Sequence, residues 1–187
     1  MNLPNKLTIL RIILTPVFLI LFFAESLPHN YLLALIVFIV ASFTDMLDGK
    51  IARKYNIITN FGKIADPIAD KILIISILLC FMQMDYCNVW IIILILAREF
   101  TVSAIRIVAA SQGSVVPANI YGKIKTVSQM SFSILIMLFI VLDKEQLYTL
   151  PHLGTVSLIL LWITAVFTVI SGVIYIKDSA KLIDFTK

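Results

Sequence analysis

Four aspartates are the residues in this sequence best placed to do chemistry. Asp45 and Asp48 stand three residues apart, and Asp66 and Asp70 four apart. Either spacing puts the two acids of a pair on one side of an α-helix. An acid at the centre of a membrane costs ~2.5–3.5 kcal/mol on the insertion scale, and less near an interface. Four unneutralised carboxylates in one pocket would also repel until some took up protons. A divalent cation removes both penalties. An all-oxygen donor set suits Mg²⁺ or Mn²⁺ better than zinc, which prefers nitrogen and sulfur, and four carboxylates make two ions plausible. Between the pairs, Gly49 lets backbone or ligand approach closely, and Ala52 is small. Arg53 offers a planar fork matched to phosphate oxygens. Gly62 is expected to turn the chain before the next helix, and Pro67 to sit in that helix's first turn. Metals, arginine and open backbone together predict a diphosphate site. A single acid pair would read as solvated interface residues; this cluster carries more.

A second, basic set follows. Arg98 lies deep in an apolar run beside Glu99, and Arg106 comes eight residues later, about 80° around a helix and ~12 Å along it. An ionised residue inside a membrane segment is a functional candidate by default. Gly122, Lys123, Ile124, Lys125 and Thr126 open another helix, with Gln129 a turn later. A helix start favours anions, and two lysines strengthen that. Arg98, Arg106, Lys123 and Lys125 therefore suggest an acceptor molecule that itself carries a phosphate. The plainer alternative makes Arg98 and Glu99 a structural ion pair and the lysines topological signals.

The elements that must position these residues are apolar. The chain has 187 residues, 60% hydrophobic and 14% charged, with a mean hydropathy of +1.03, far outside soluble averages. Runs at 7–24, 31–44, 67–84, 89–109, 124–142 and 155–176 predict six helices, since roughly 20 apolar residues cross a bilayer. The second run is short, so its helix is expected to continue through Asp45 and Asp48 into the headgroup region. Barrel strands would alternate apolar and polar residues; these runs do not. The expectation is an all-α, polytopic bundle of six transmembrane helices, one catalytic domain spanning 1–187. No internal repeat is visible, as a transporter with an intramembrane ion site would often have.

Net charge +4 could suggest a nucleic-acid partner, but the placement of the basic residues argues against one. Lys50, Arg53, Lys54, Lys63 and Lys71 crowd the link between the second and third runs, Lys123 and Lys125 open the fifth, and Lys177, Lys181 and Lys187 follow the sixth. The opposite links carry only Lys144. By the positive-inside rule, both termini and the basic links are cytoplasmic. Arg11 interrupts the start of the first run and no small-residue cleavage site follows it, which predicts an uncleaved first helix. Cys80 and Cys87 predict two free thiols rather than a zinc or disulfide framework. His29 and His152 fall in the outer links and are not expected to bind metal.

The pattern Asp45-x2-Asp48-Gly49-x2-Ala52-Arg53-x8-Gly62-x3-Asp66-x3-Asp70 resembles, with no departure, the signature of the CDP-alcohol phosphatidyltransferases. The resemblance implies the six-helix fold of that family, usually homodimeric, in the bacterial inner (cytoplasmic) membrane. It implies a cytoplasm-facing pocket that holds two divalent metals, Mg²⁺ or Mn²⁺, and a CDP-linked lipid. Asp45, Asp48, Asp66 and Asp70 would be the metal ligands, with Asp70 also the general base. Gly49, Ala52, Arg53 and Gly62 would serve the CDP portion. Asn5, Thr8, Arg11 and Pro16, the run Ala97-Arg98-Glu99-Phe100 with Arg106, and Gly122 to Thr126 with Gln129 are similar to one branch of the family. That branch joins CDP-diacylglycerol to glycerol-3-phosphate, and the likeness implies that Arg98, Arg106, Lys123 and Lys125 hold the acceptor's phosphate. Sister branches, which use inositol phosphate, serine or phosphatidylglycerol, share the core signature.

Overall fold

The computed structural model of the chain describes residues 2–55, 60–112 and 120–180; the side chains of 45–55, 60–61, 63–64 and 110 lie outside the description. All regular structure in the described residues is helical: α1 (Leu3–Phe23), α2 (Asn30–Tyr55), α3 (Asn60–Gln83), α4 (Val89–Ser111), α5 (Ile120–Lys144) and α6 (Leu153–Ser179). The all-α expectation holds. By length and composition, α1, α5 and α6 are long and apolar enough to cross a membrane, and α2 has a shorter apolar stretch, Asn30–Thr44. The helices α3 and α4 carry charges within their lengths, among them Asp66, Asp70, Arg98, Glu99 and Arg106.

The second helix does run on through Asp45 and Asp48, as far as Tyr55. At α3 the expectation needs correction. That helix starts at Asn60, so Gly62 lies inside it rather than in a turn before it, and Pro67 is an interior residue rather than a first-turn one. Proline lacks the N–H for one backbone bond and crowds the preceding turn, which makes it a reasonable stop signal in water. Between packed membrane helices, neighbouring groups take up the freed carbonyl, and the helix continues.

The chain divides into two compact units. The first, Met1–Met84 with Ser133–Leu153, contains α1, α2, α3 and the second half of α5. Here α1 packs on α2 and α3. Phe18 stacks at a tilt on Phe22 and Phe38, while Phe22 meets Tyr31 edge to face. Leu73, Ile77, Phe81, Ile136 and Ile140 are buried in the same unit. At its link end, His29 Nδ1 lies 2.6 Å from Glu145 Oε2, and the Lys144 ammonium sits over the Tyr31 ring.

The second unit, Asp85–Phe132 with Gly154–Lys187, holds α4, the first half of α5 and α6. Besides buried Ile91, Ile95, Val102 and Leu161, it has a polar strip on α6: Ser157, Thr164, Thr168, Ser171 and Ser179 are all buried. Small hydroxyl residues let membrane helices approach closely, because lipid provides no hydrophobic drive to hold them together. Thr164, Thr168 and Ser179 satisfy their hydroxyls on carbonyls four residues back in their own helix.

Candidate active site

In the first unit, α3 presents Asp66 and Asp70 one turn apart, both half-buried, with Gly62 buried in its opening turn. The α2 backbone is helical through Asp45, Asp48, Gly49, Ala52 and Arg53, so its two aspartates share a side by register. The side chains of those five residues lie outside the described set. Asp66 has a partner that the sequence did not reveal. The Thr8 hydroxyl of α1 sits against Asp66 Oδ1 and, at 3.1 Å, against the Pro4 carbonyl. With one hydrogen it donates to one of them at a time. Asn5, Thr8, Arg11 and Thr15 form a buried polar edge of α1; Arg11 is fully buried. Their spacing of three and four in an apolar helix was the available signal for this edge.

In the second unit two of the basic residues, Arg98 and Lys125, are brought together by Glu99. Its Oε1 accepts from Arg98 Nη1 at 3.0 Å and from Lys125 Nζ at 2.5 Å. These side chains are mostly buried, with exposures of 13% for Arg98, 20% for Glu99 and 5% for Lys125. One carboxylate oxygen thus serves two cations in a setting where screening is weak. Arg98 Nη2 donates to Ser171 Oγ at 2.9 Å. Arg106, which is exposed, donates from Nε to the Tyr175 hydroxyl at 3.3 Å, its guanidinium 5.6 Å from the centre of that ring. Lys123 is exposed and, two residues from Lys125, faces about 200° away around α5. Arg98 and Lys125 are thus joined through Glu99, Arg106 lies on the same helix pair, and Lys123 stands apart. The ion pair between Arg98 and Glu99 is present, as the plainer alternative had it.

Among the described residues, Arg98 Nε, Gln129 Nε2, Ser133 Oγ and Ser157 Oγ are buried polar atoms without a hydrogen-bond partner. Cys80 and Cys87 are both free. Burial pushes the Cys87 thiol, in the link before α4, up to about 12, which keeps it protonated and inert.

Residues 1–170 match the CDP-alcohol phosphatidyltransferase family. The chain belongs to that family. A relative from Bacillus subtilis, a CDP-diacylglycerol–glycerol-3-phosphate 3-phosphatidyltransferase, is 42% identical over 91% of each chain. The enzyme of the same name from Rickettsia felis is 42% identical over 96% of each. A probable phosphatidylglycerophosphate synthase from Mycobacterium tuberculosis is 37% identical over 96% of this chain and 82% of its own. In this member of the CDP-alcohol phosphatidyltransferases, the α6 residues that touch the two arginines, Ser171 and Tyr175, fall just beyond the stretch that matches the family.

Proposed function

We propose that this chain transfers the phosphatidyl group of CDP-diacylglycerol to glycerol-3-phosphate, giving phosphatidylglycerophosphate and CMP. The carrying observation is identity of 42%, across 91% and 96% of the chain, with transferases named for that donor and acceptor. A hydroxyl of glycerol-3-phosphate attacks the phosphorus that bears the lipid, and the bond from that phosphorus to the CMP oxygen breaks. Asp70 takes the hydroxyl proton on a carboxylate oxygen, a role worth typically ~10²–10⁴-fold. Gly49, Ala52, Arg53 and Gly62 receive the CDP portion.

Asp45, Asp48, Asp66 and Asp70 would hold two divalent ions, Mg²⁺ or Mn²⁺. The donor chemistry fits. Asp66 and Asp70 are paired oxygen donors on one helix side, Thr8 steadies one oxygen of Asp66, and hard cations prefer such ligands. Bound ions of this kind neutralise the diphosphate and stabilise charge on the departing CMP. Arg98, Arg106, Lys123 and Lys125 would hold the acceptor phosphate, Arg106 and Lys123 from exposed positions.

All six helices would cross a bacterial inner membrane, with both termini and the basic links on the cytoplasmic side. The skew of lysine and arginine between links supports that orientation. For α4, the ion pairs of Arg98 and Lys125 with Glu99 offset the cost of charge in lipid. Residues 1–187 would act as one transmembrane catalytic domain, as a homodimer in keeping with the family resemblance.

The test is CMP release from CDP-diacylglycerol by the purified full chain. Release is expected with glycerol-3-phosphate and Mg²⁺ or Mn²⁺, lost on chelation and restored by adding the ion back. Release with inositol phosphate, serine or phosphatidylglycerol in place of glycerol-3-phosphate would reassign the acceptor. Turnover that survives chelation would refute the metal role.

A further inference from the structure

The two arginines of α4 are held by α6, and held differently. Arg98 spends its Nη nitrogens inside the protein, on Glu99 and Ser171. Arg106 is gripped from the other end: Tyr175 accepts from Nε and lies beneath the guanidinium. That grip leaves the Nη edge, the fork that pairs with phosphate oxygens. Tyr175 is itself 3% exposed, so its ring is a fixed platform under an otherwise exposed side chain. A free arginine carries ~2 kcal/mol of rotamer entropy, and a partner that orients it in advance reduces what phosphate binding must overcome.

Ser171 and Tyr175 are one turn apart on α6, and Gly172 lies between them. A Cβ at 172 would come within 3.0 Å of Arg98 Cγ, forcing the arginine stem to shift. A hydroxyl, a bare backbone and an aromatic ring therefore form one surface fitted to two arginine side chains.

We infer that the last third of α6 sets the acceptor-phosphate site, with Tyr175 as the positioning residue that aims Arg106 at the phosphate and Ser171 with Gly172 fixing Arg98 beside it. This rests on the proposed use of glycerol-3-phosphate and on Arg106 as a phosphate contact. It adds a specificity element from a helix segment outside the family match.

The experiment is steady-state kinetics of the full chain in detergent, varying CDP-diacylglycerol and glycerol-3-phosphate separately. Tyr175→Phe keeps the ring and loses one long hydrogen bond, so KM for glycerol-3-phosphate should rise about three-fold. Tyr175→Leu loses the ring as well, and about ten-fold is expected. In both, kcat and KM for CDP-diacylglycerol should stay within about two-fold of the parent, because the lost contact acts on acceptor binding. In an Arg106→Ala background, Tyr175→Phe should add nothing to the acceptor KM. Ser171→Ala provides a second, milder variant with the same expected split. Equal changes in both KM values, a fall in kcat alone, or an undiminished effect of Tyr175→Phe without Arg106 would overturn the inference. If Arg106→Ala raises the acceptor KM and the Tyr175 variants do not, positioning by α6 is wrong and the proposed site stands. If Arg106→Ala leaves the acceptor KM unchanged, the proposed phosphate contact is itself wrong.

Discussion

Asp66 of α3 and the basic cluster of α4, α5 and α6 meet different kinds of partner. On α3, Asp66 meets a neutral hydroxyl from Thr8, which orients an oxygen without cancelling its charge. In the second unit, one carboxylate oxygen serves two cations, and a tyrosine and a serine occupy the arginines further. A neutral hydroxyl orients the Asp66 carboxylate, whereas in the second unit one carboxylate oxygen serves two cations and the exposed Arg106 is held by a neutral tyrosine. Substitutions should accordingly fail in different currencies: turnover in the first unit, stability and acceptor affinity in the second.

The sharpest way to break that contrast is Asp70→Asn. It should lower kcat by about 10²–10⁴-fold, the usual worth of a general base, while CDP-diacylglycerol still binds in an equilibrium assay. Near-normal turnover would remove Asp70 from proton transfer. Glu99→Gln should act on stability instead. Removing the shared carboxylate leaves Lys125 and Arg98 mostly buried without their counter-charge, and about 2–3 kcal/mol of destabilisation is expected. The reading is a lower midpoint in thermal unfolding in detergent, and an unchanged midpoint would mean that the cations find water or other acceptors. Thr8→Val is the mildest. It keeps the shape and removes one hydrogen bond to a carboxylate, worth roughly 1.5 kcal/mol, so the Mg²⁺ concentration for half-maximal activity should rise about ten-fold. A metal requirement that does not move would make Thr8 merely a helix-packing residue.

The same two regions explain what could be read from the sequence. The acidic pattern is local: its pairs are three and four residues apart, and helical periodicity alone assembles each pair. The six apolar runs were legible for the same reason, down to the continuation of α2 past Asp48. The contacts of the basic cluster instead join residues far apart in sequence, as Lys125 joins Glu99, Ser171 joins Arg98 and Tyr175 joins Arg106. No spacing rule reports such pairings. Thr8 and Asp66 were hidden for the same reason. The start of α3 was misplaced for a different one: Gly62 and Pro67 are turn signals for a chain in water, and they lose that force between packed apolar helices.

Pro67 has a mechanical consequence. It follows Asp66 directly and cannot donate to the carbonyl of Lys63, so the helical ladder lacks a rung in the turn that leads into the acid pair. With that rung absent, the opening turns of α3 are tied to the remainder by one bond fewer, while the 70-to-66 bond that sets the acids one turn apart is not the one proline removes. The residue that obscured the start of this helix is the one that loosens the turn just before its acid pair.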